Sequence, residues 1–134
     1  MGVFSLECEV RSVRDQGEVA RVRVLVDSGS EFTWLPRAAL ERSAVSVVKA
    51  GLRFVMADGR TITRPVGYAI LRASGFETVD EVVFAEPGDL SLLGARTLEG
   101  FGAVVDARGK RLVAAGPHPA ASVACQPSWG APGR

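Results

Sequence analysis

Short alternating segments separated by turn residues run through most of this chain, and they constrain its fold more than any other feature. In residues 4–10 and 19–26, apolar and polar side chains alternate as in strands with one buried face. Two short helices are predicted, at 36–42, where a proline suits the first turn, and at 95–99. Further strands are predicted at 52–56, 61–63, 68–73, 78–84, 90–93, 104–105 and 111–113. Four aromatic side chains are interpreted as core residues: Trp34, Phe54, Tyr68 and Phe84. The expected fold is mainly β, a closed or partly closed barrel with one or two short helices.

Composition limits the class of protein. Hydrophobic residues make up 47% of the 134 residues and charged residues 23%, which is typical of a globular chain. The net charge is +1 and no basic block occurs, so a nucleic-acid partner is not expected. No membrane span or signal peptide is recognisable, and a cytoplasmic location is expected. One domain is expected in residues 1–115, followed by a flexible tail rich in Pro, Ala and Gly in residues 116–134.

The catalytic chemistry open to the chain is limited by its single histidine. His118 lies between two prolines in the predicted tail, which excludes Ser-His-Asp and Cys-His machinery. No His/Cys cluster suits a metal, and neither metal nor cofactor is expected. Cys8 and Cys125 are expected to be free thiols, with a disulfide between them as the alternative. Carboxylates are the remaining candidates for acid and base.

One carboxylate, Asp27, directly follows a predicted strand whose valines share one face. Ser28 and Gly29 end that strand, since glycine allows a tight turn that a residue with a Cβ resists. The expected result is a carboxylate held at a rigid strand end among short hydrogen-bonding groups. The hydroxyl of Ser30 is expected to donate to the Asp27 carboxylate and to stabilise its charged form, so that any catalysis by this carboxylate shifts towards acidic pH. Taken alone, Asp-Ser-Gly is also an ordinary turn.

Two blocks of sequence together resemble retropepsin-like, or retroviral-type, aspartic proteases, and the small prokaryotic single-domain members most. Residues 25–30, followed by 34–36, resemble the active-site loop of that family. Residues 92–98, followed by 102–106, resemble its second signature, in which two apolar residues and a glycine lead into a short helix. The resemblance covers residues 3–114 and implies a retropepsin-like acid-protease barrel.

The resemblance also implies site residues and an activity. Asp27 is implied to be the catalytic aspartate of an aspartic endopeptidase that activates water to hydrolyse the peptide bonds of an extended polypeptide. The rest of the implied site is the active-site loop residues Ser28, Gly29 and Ser30, the flap residues Ala57, Asp58, Gly59 and Arg60, and the scaffold residues Leu92, Leu93 and Gly94. Because the chain has a single Asp-Ser-Gly, the second carboxylate is expected from a second copy, which makes the protein a homodimer. A catalytically weak or inactive peptide-binding or dimerisation module is the alternative.

Two departures from the family pattern bear on activity. Viral members commonly place an arginine directly after the second-signature glycine, where it pairs with an acidic residue beyond the active-site loop. Here that position is Ala95, with Arg96 next and Glu31 in the acidic place. Either Arg96 reaches Glu31 by another route or this support is absent. The flap also lacks a glycine-rich tip, which predicts restricted opening.

Overall fold

The computed structural model describes residues 4–120, so most of the predicted tail, and Cys125 with it, lies outside the described residues. Within them are nine strands and two short helices. The strands are β1 (Ser5–Ser12), β2 (Ala20–Val26), β3 (Thr33–Pro36), β4 (Val47–Val55), β5 (Thr61–Ala73), β6 (Phe76–Ala85), β7 (Leu92–Leu93), β8 (Ala103–Asp106) and β9 (Arg111–Ala114). The helices are α1 (Arg37–Arg42) and α2 (Ala95–Phe101). Neither helix is long and apolar enough to cross a membrane.

Six strands close into a ring. The strands β1, β2, β7, β3, β6 and β5 pair in that order, and β5 pairs back with β1. The pairs β2–β7 and β3–β6 are parallel, and the other neighbours in the ring are antiparallel. Strand β4 pairs only with β5 and forms a hairpin with it, while β8 and β9 form a separate two-stranded sheet. The predicted mainly β, ring-closed barrel is therefore confirmed.

Strand β5 is continuous, which corrects the prediction of two segments interrupted at Pro65. Residues 61–67 of β5 pair with β4, and residues 69–72 pair with β1 on the same edge. In β4, Ala50 and Gly51 together lie opposite Pro65, so a bulge occurs at the position where proline has no N–H to donate. Pro65, Ala50 and Gly51 are left out of the ladder there, and the pairing continues on either side of them.

Other predicted boundaries are wrong by a few residues. Strand β4 begins at Val47 rather than Leu52, and β7 is shorter than predicted, which leaves Leu90 66% exposed. Helix α2 extends two residues further than predicted, to Phe101, and ends where Gly102 adopts a left-handed φ of 68°. Val104, in the predicted strand 104–105, is half exposed, because β8 belongs to the outer hairpin rather than the ring. Of the four aromatic residues predicted to lie in the core, Tyr68 is exposed instead.

The alternating patterns of the first two strands are confirmed, because their apolar residues point into the ring. The main core fills the ring and includes Cys8, Val10 and Leu71, together with the valines of β2. A second cluster lies between the ring and the β4–β5 hairpin, around Trp34. Its members are Trp34, Val66, Val83 and Ala85, with Phe32, Leu52, Phe54, Met56, Ile62 and Leu92 packed against them.

Candidate active site

Asp27 is the first residue after β2, at the point where β7 ends alongside it. Val26 pairs with Leu93 in the parallel register of β2 and β7. The Asp27 N–H donates to the carbonyl of Leu93 at 2.9 Å, so the backbone of Asp27 is fixed by the neighbouring strand. Its side chain is half-buried. The prediction of a carboxylate at a rigid strand end agrees with this geometry.

The loop from Asp27 to Ser30 closes on itself through backbone donors. The Gly29 N–H donates to Asp27 Oδ1 at 3.0 Å, and the Ser30 N–H donates to the Asp27 carbonyl at 3.1 Å. Ser28 and Gly29 are exposed at the end of this turn. These bonds orient one carboxylate oxygen towards the loop and hold the turn tightly.

The hydroxyl of Ser30 makes a contact that the sequence did not predict. It donates to the carbonyl of Phe32 at 3.0 Å. A hydroxyl has one proton, so the predicted donation to Asp27 competes with this bond. Ser30 therefore stabilises the part of the loop that leads into β3.

The second signature lies directly beneath the active-site loop, as the resemblance implies. Strand β7 is inserted between β2 and β3, and its end brings Gly94 against the loop backbone. A Cβ at Gly94 would lie 2.6 Å from the carbonyl carbon of Phe32 and 2.9 Å from the carbonyl oxygen of Glu31. Because such separations are well below van der Waals contact, this close approach requires glycine.

Helix α2 is capped by the active-site loop rather than by a side chain. The N–H of Ala95 donates to the Ser30 carbonyl at 2.7 Å, and the N–H of Arg96 donates to the Glu31 carbonyl at 3.1 Å. These first-turn amides have no partner within the helix. The loop carbonyls therefore satisfy the first amides of the helix and link the two segments directly.

Arg96 reaches Glu31 by another route than the viral pattern, which resolves the alternative left open by the sequence. Its Nε lies 3.6 Å from a Glu31 oxygen, and its guanidinium lies 4.7 Å from the centre of the Phe32 ring. Arg96 also pairs at 3.0 Å with Glu81, which Lys49 approaches at 2.8 Å. The hydrogen bond from Lys49, assisted by Arg96, holds the pKa of Glu81 below its usual value.

The predicted flap is the hairpin of β4 and β5. The Gly59 N–H donates to the Met56 carbonyl, and the Met56 N–H donates to the Arg60 carbonyl, with Gly59 at a φ of 89°. This is a three-residue hairpin loop with glycine in the left-handed position. Asp58 accepts hydrogen bonds from the backbone and side chain of Arg60, which lower its pKa. Ala57 is exposed at the same turn.

A groove of about 780 Å³ separates Asp27 from this hairpin. Its walls include an aromatic group in which the Phe54 ring lies 4.9 Å from Trp34 and 5.4 Å from Phe32, centre to centre. The exposed Leu90 also lines it. The groove therefore has an aromatic wall, but charged side chains line it as well, namely Asp27, Glu31, Arg53, Arg60 and Asp89.

The loop between β6 and β7 is tied to the hairpin by an ion pair that the sequence did not indicate. Arg64 donates from two nitrogens to the two oxygens of Asp89, at 2.8 and 3.0 Å. Asp89 also accepts the Glu86 N–H at 2.8 Å. The bonds from Arg64 are the main cause of the lowered pKa of Asp89. Arg64 and Asp89 are 25 positions apart in the sequence, so no local pattern predicts this ion pair.

The comparisons with known proteins concern the fold. No protein-family model matches this chain, and no curated protein matches it. The solution structure of simian foamy virus (mac) protease is similar at 22% identity and a TM-score of 0.49, covering 72% of this chain and 92% of that chain. A foamy viral protease-reverse transcriptase, solved in complex with an RNA/DNA hybrid, is similar at 18% identity and a TM-score of 0.51. It aligns with 72% of this chain, and this chain covers 12% of its length. The ring of strands and the likeness to this second structure show that the chain has a retropepsin-like fold.

Proposed function

We propose that this chain is an aspartic endopeptidase that acts as a homodimer, with Asp27 of each chain contributing one carboxylate. The observation that carries the proposal is the placement of Asp27. Its carboxylate stands at a strand end on a turn closed by backbone donors, and it lines a groove beneath a hairpin. The catalytic domain would comprise residues 1–115, in the manner of a small single-domain member of the prokaryotic type, with residues 116–134 as a tail.

The need for a second copy follows from the other aspartates. Among the described residues, Asp58, Asp89 and Asp106 each pair with an arginine, and Asp15 lies in a turn. Asp80 lies within β6, where it accepts hydrogen bonds from the Thr97 hydroxyl and the Glu81 N–H. None of these five follows a strand as Asp27 does beneath the hairpin. A two-fold axis near the exposed Ser28–Gly29 turn would bring two Asp27 side chains together. Ser28 would then bond across to the opposite loop and hold the two loops in register.

The chemistry of such a pair is that of a shared proton. Two carboxylates about 3 Å apart cannot both ionise, so one keeps its proton. The ionised carboxylate takes a proton from water as the water oxygen attacks the carbonyl carbon of the peptide bond. The protonated carboxyl polarises the carbonyl oxygen. Transfer of a proton to the amide nitrogen then allows the C–N bond to break, which yields a new carboxyl and a new amine.

The proposed substrate is an extended polypeptide held beneath the hairpin. The aromatic wall formed by Phe32, Trp34 and Phe54 favours apolar side chains. The Met56–Arg60 turn would close over the peptide and exclude water. We place this activity in the cytoplasm, where a buried free thiol such as Cys8 remains reduced. Neither nucleic acid nor membrane has a role in it.

A second candidate is a peptide-binding or dimerisation module with weak or no cleavage. The observation that favours it is the bracing of the hairpin. Its tip carries one glycine and an internal Asp58–Arg60 pair, and its stem is held by Arg64 and Asp89. A hairpin that opens rarely would bind peptides but turn them over slowly.

The test compares cleavage of an unstructured protein by the wild type and by Asp27→Asn, from acidic to neutral pH. Asp15→Asn is the matched control, because it makes the same change at a turn residue with a φ of 56°, which asparagine tolerates. Sedimentation equilibrium gives the mass of all three proteins. Cleavage lost only in Asp27→Asn, by about 10⁴-fold or more, supports the proposal. Dimers of wild type that bind peptides without cutting them support the second candidate, and a monomer contradicts both.

A further inference from the structure

Two threonine hydroxyls are fully buried next to the active-site loop. Thr33 lies in β3 and Thr97 lies in α2, and neither has any exposed surface. Their hydroxyl oxygens are in direct hydrogen-bond contact with each other. A buried hydroxyl without a partner is costly, so two that meet in the interior usually belong to a network.

The network has a fixed direction. The Thr97 hydroxyl donates to Asp80 Oδ2 at 2.7 Å, which uses its single proton. Thr33 must therefore donate to Thr97, and the oxygen of Thr33 accepts the Gly94 N–H at 3.0 Å. The other oxygen of Asp80 accepts the Glu81 N–H at 2.7 Å. The chain of donors thus starts at Gly94 and ends on a carboxylate of β6.

Gly94 is the residue on which the active-site loop rests. The preceding carbonyl, of Leu93, accepts the Asp27 N–H, and the following amide, of Ala95, donates to the Ser30 carbonyl. We infer that Thr33, Thr97 and Asp80 form a positioning network that sets the place of the Asp27 carboxylate through Gly94. This inference rests on the proposed function for its effect on turnover, but its structural part can be tested without any activity.

The experiment changes one hydroxyl at a time. Thr97→Val keeps the shape of the side chain and removes the hydroxyl, whereas Thr97→Ser keeps the hydroxyl. Thr78→Val is the matched control, because Thr78 lies beneath the same helix and its hydroxyl donates to the neighbouring Val79 carbonyl, at 3.5 Å, rather than to the network. Amide hydrogen exchange at Asp27 and Gly94 is measured by NMR, and kcat and KM are measured for a cleaved peptide at a concentration where the protein is dimeric.

Thr97→Val is expected to speed exchange at Asp27 and Gly94 by about tenfold or more, while amides in β1 keep their wild-type rates. It is expected to lower kcat by about 10- to 100-fold with little change in KM, because a misplaced carboxylate affects the chemical step. Thr97→Ser should restore most of the exchange protection and most of kcat, and Thr78→Val should change neither quantity. If Thr97→Val does not fold, Asp80→Asn weakens the same network at a half-buried position and should shift both readouts in the same direction.

Unchanged exchange at Asp27 and Gly94 in a folded Thr97→Val or Asp80→Asn variant would overturn the inference. So would a uniform increase across all strands, because that is ordinary destabilisation. If the wild type cuts no peptide, the proposed function fails while the exchange result still decides whether the network holds Asp27.

Discussion

Replacing Gly94 by alanine tests how closely the fold holds the candidate active site. Gly94 has an ordinary φ of −96°, so the substitution introduces no backbone strain of its own. Its only effect is a methyl group that would lie 2.6 Å from the carbonyl carbon of Phe32. Ordinary contacts between carbon atoms are about 3.5 Å, so the loop or the helix must move by about 0.9 Å.

That displacement would fall on the bonds between the loop and α2. The Ala95–Ser30 and Arg96–Glu31 hydrogen bonds are 2.7 and 3.1 Å long, and a shift of this size stretches or breaks them. Forcing a methyl group into a packed interior costs about 1–3 kcal/mol. For a domain of this size, that corresponds to a fall in Tm of about 3–12 °C. If the proposed activity is correct, a shift of about 1 Å in the loop also lowers turnover by about 100-fold.

Thermal unfolding by circular dichroism, followed by peptide turnover at a temperature where both proteins are folded, measures these effects. Gly51→Ala is the matched control, because its added Cβ would meet only a Thr63 methyl group, at 3.3 Å. A Gly94→Ala variant with the Tm and turnover of the wild type would refute the reasoning. It would mean that the loop backbone and α2 are not in the close contact described.

Two further predictions concern titratable groups. Asp89→Asn should make the free energy of unfolding in urea depend less steeply on pH between roughly 5 and 3. The pKa of Asp89 is lowered in the folded protein, so its carboxylate stabilises the fold above the ordinary pKa of an aspartate. That stabilisation is lost as the pH falls through the folded pKa. Asp106→Asn, at a more exposed pair, is the control, and an equal effect there would contradict the special weight given to Arg64–Asp89. Burial raises the pKa of Cys8 to about 12, so this thiol should not react with iodoacetamide at pH 8 until the protein is unfolded. A Cys125→Ser protein, in which Cys8 is the remaining cysteine of the sequence, tests this, and rapid labelling of its native form would contradict the prediction.

The alternation of apolar residues was sufficient to predict the first two strands and the position of Asp27. Periodicity reports which face of a strand is buried, and the buried residues Val22, Val24 and Val26 follow it. For the second signature, the resemblance to retropepsin-like proteases implied that Leu92, Leu93 and Gly94 support the active-site loop. The structure agrees for Gly94.

The features that the sequence could not supply depend on contacts between distant residues. The continuity of β5 through Pro65 requires a bulge in β4, and nothing in either segment alone indicates their register. The Arg64–Asp89 pair joins two elements that only the folded chain brings together. Thr33 and Thr97 resemble ordinary strand and helix residues, although a polar residue within an apolar run is a weak signal that a buried partner exists.

The central claim is that one active site is built from the Asp27 side chains of two chains. Mixing wild-type and Asp27→Asn chains at constant total concentration, with time for exchange between dimers, tests it most directly. If both carboxylates are needed, activity follows the square of the wild-type fraction, and about one quarter remains in an equal mixture. Activity that falls in direct proportion, with about one half remaining, would contradict the account, because each chain would then work alone.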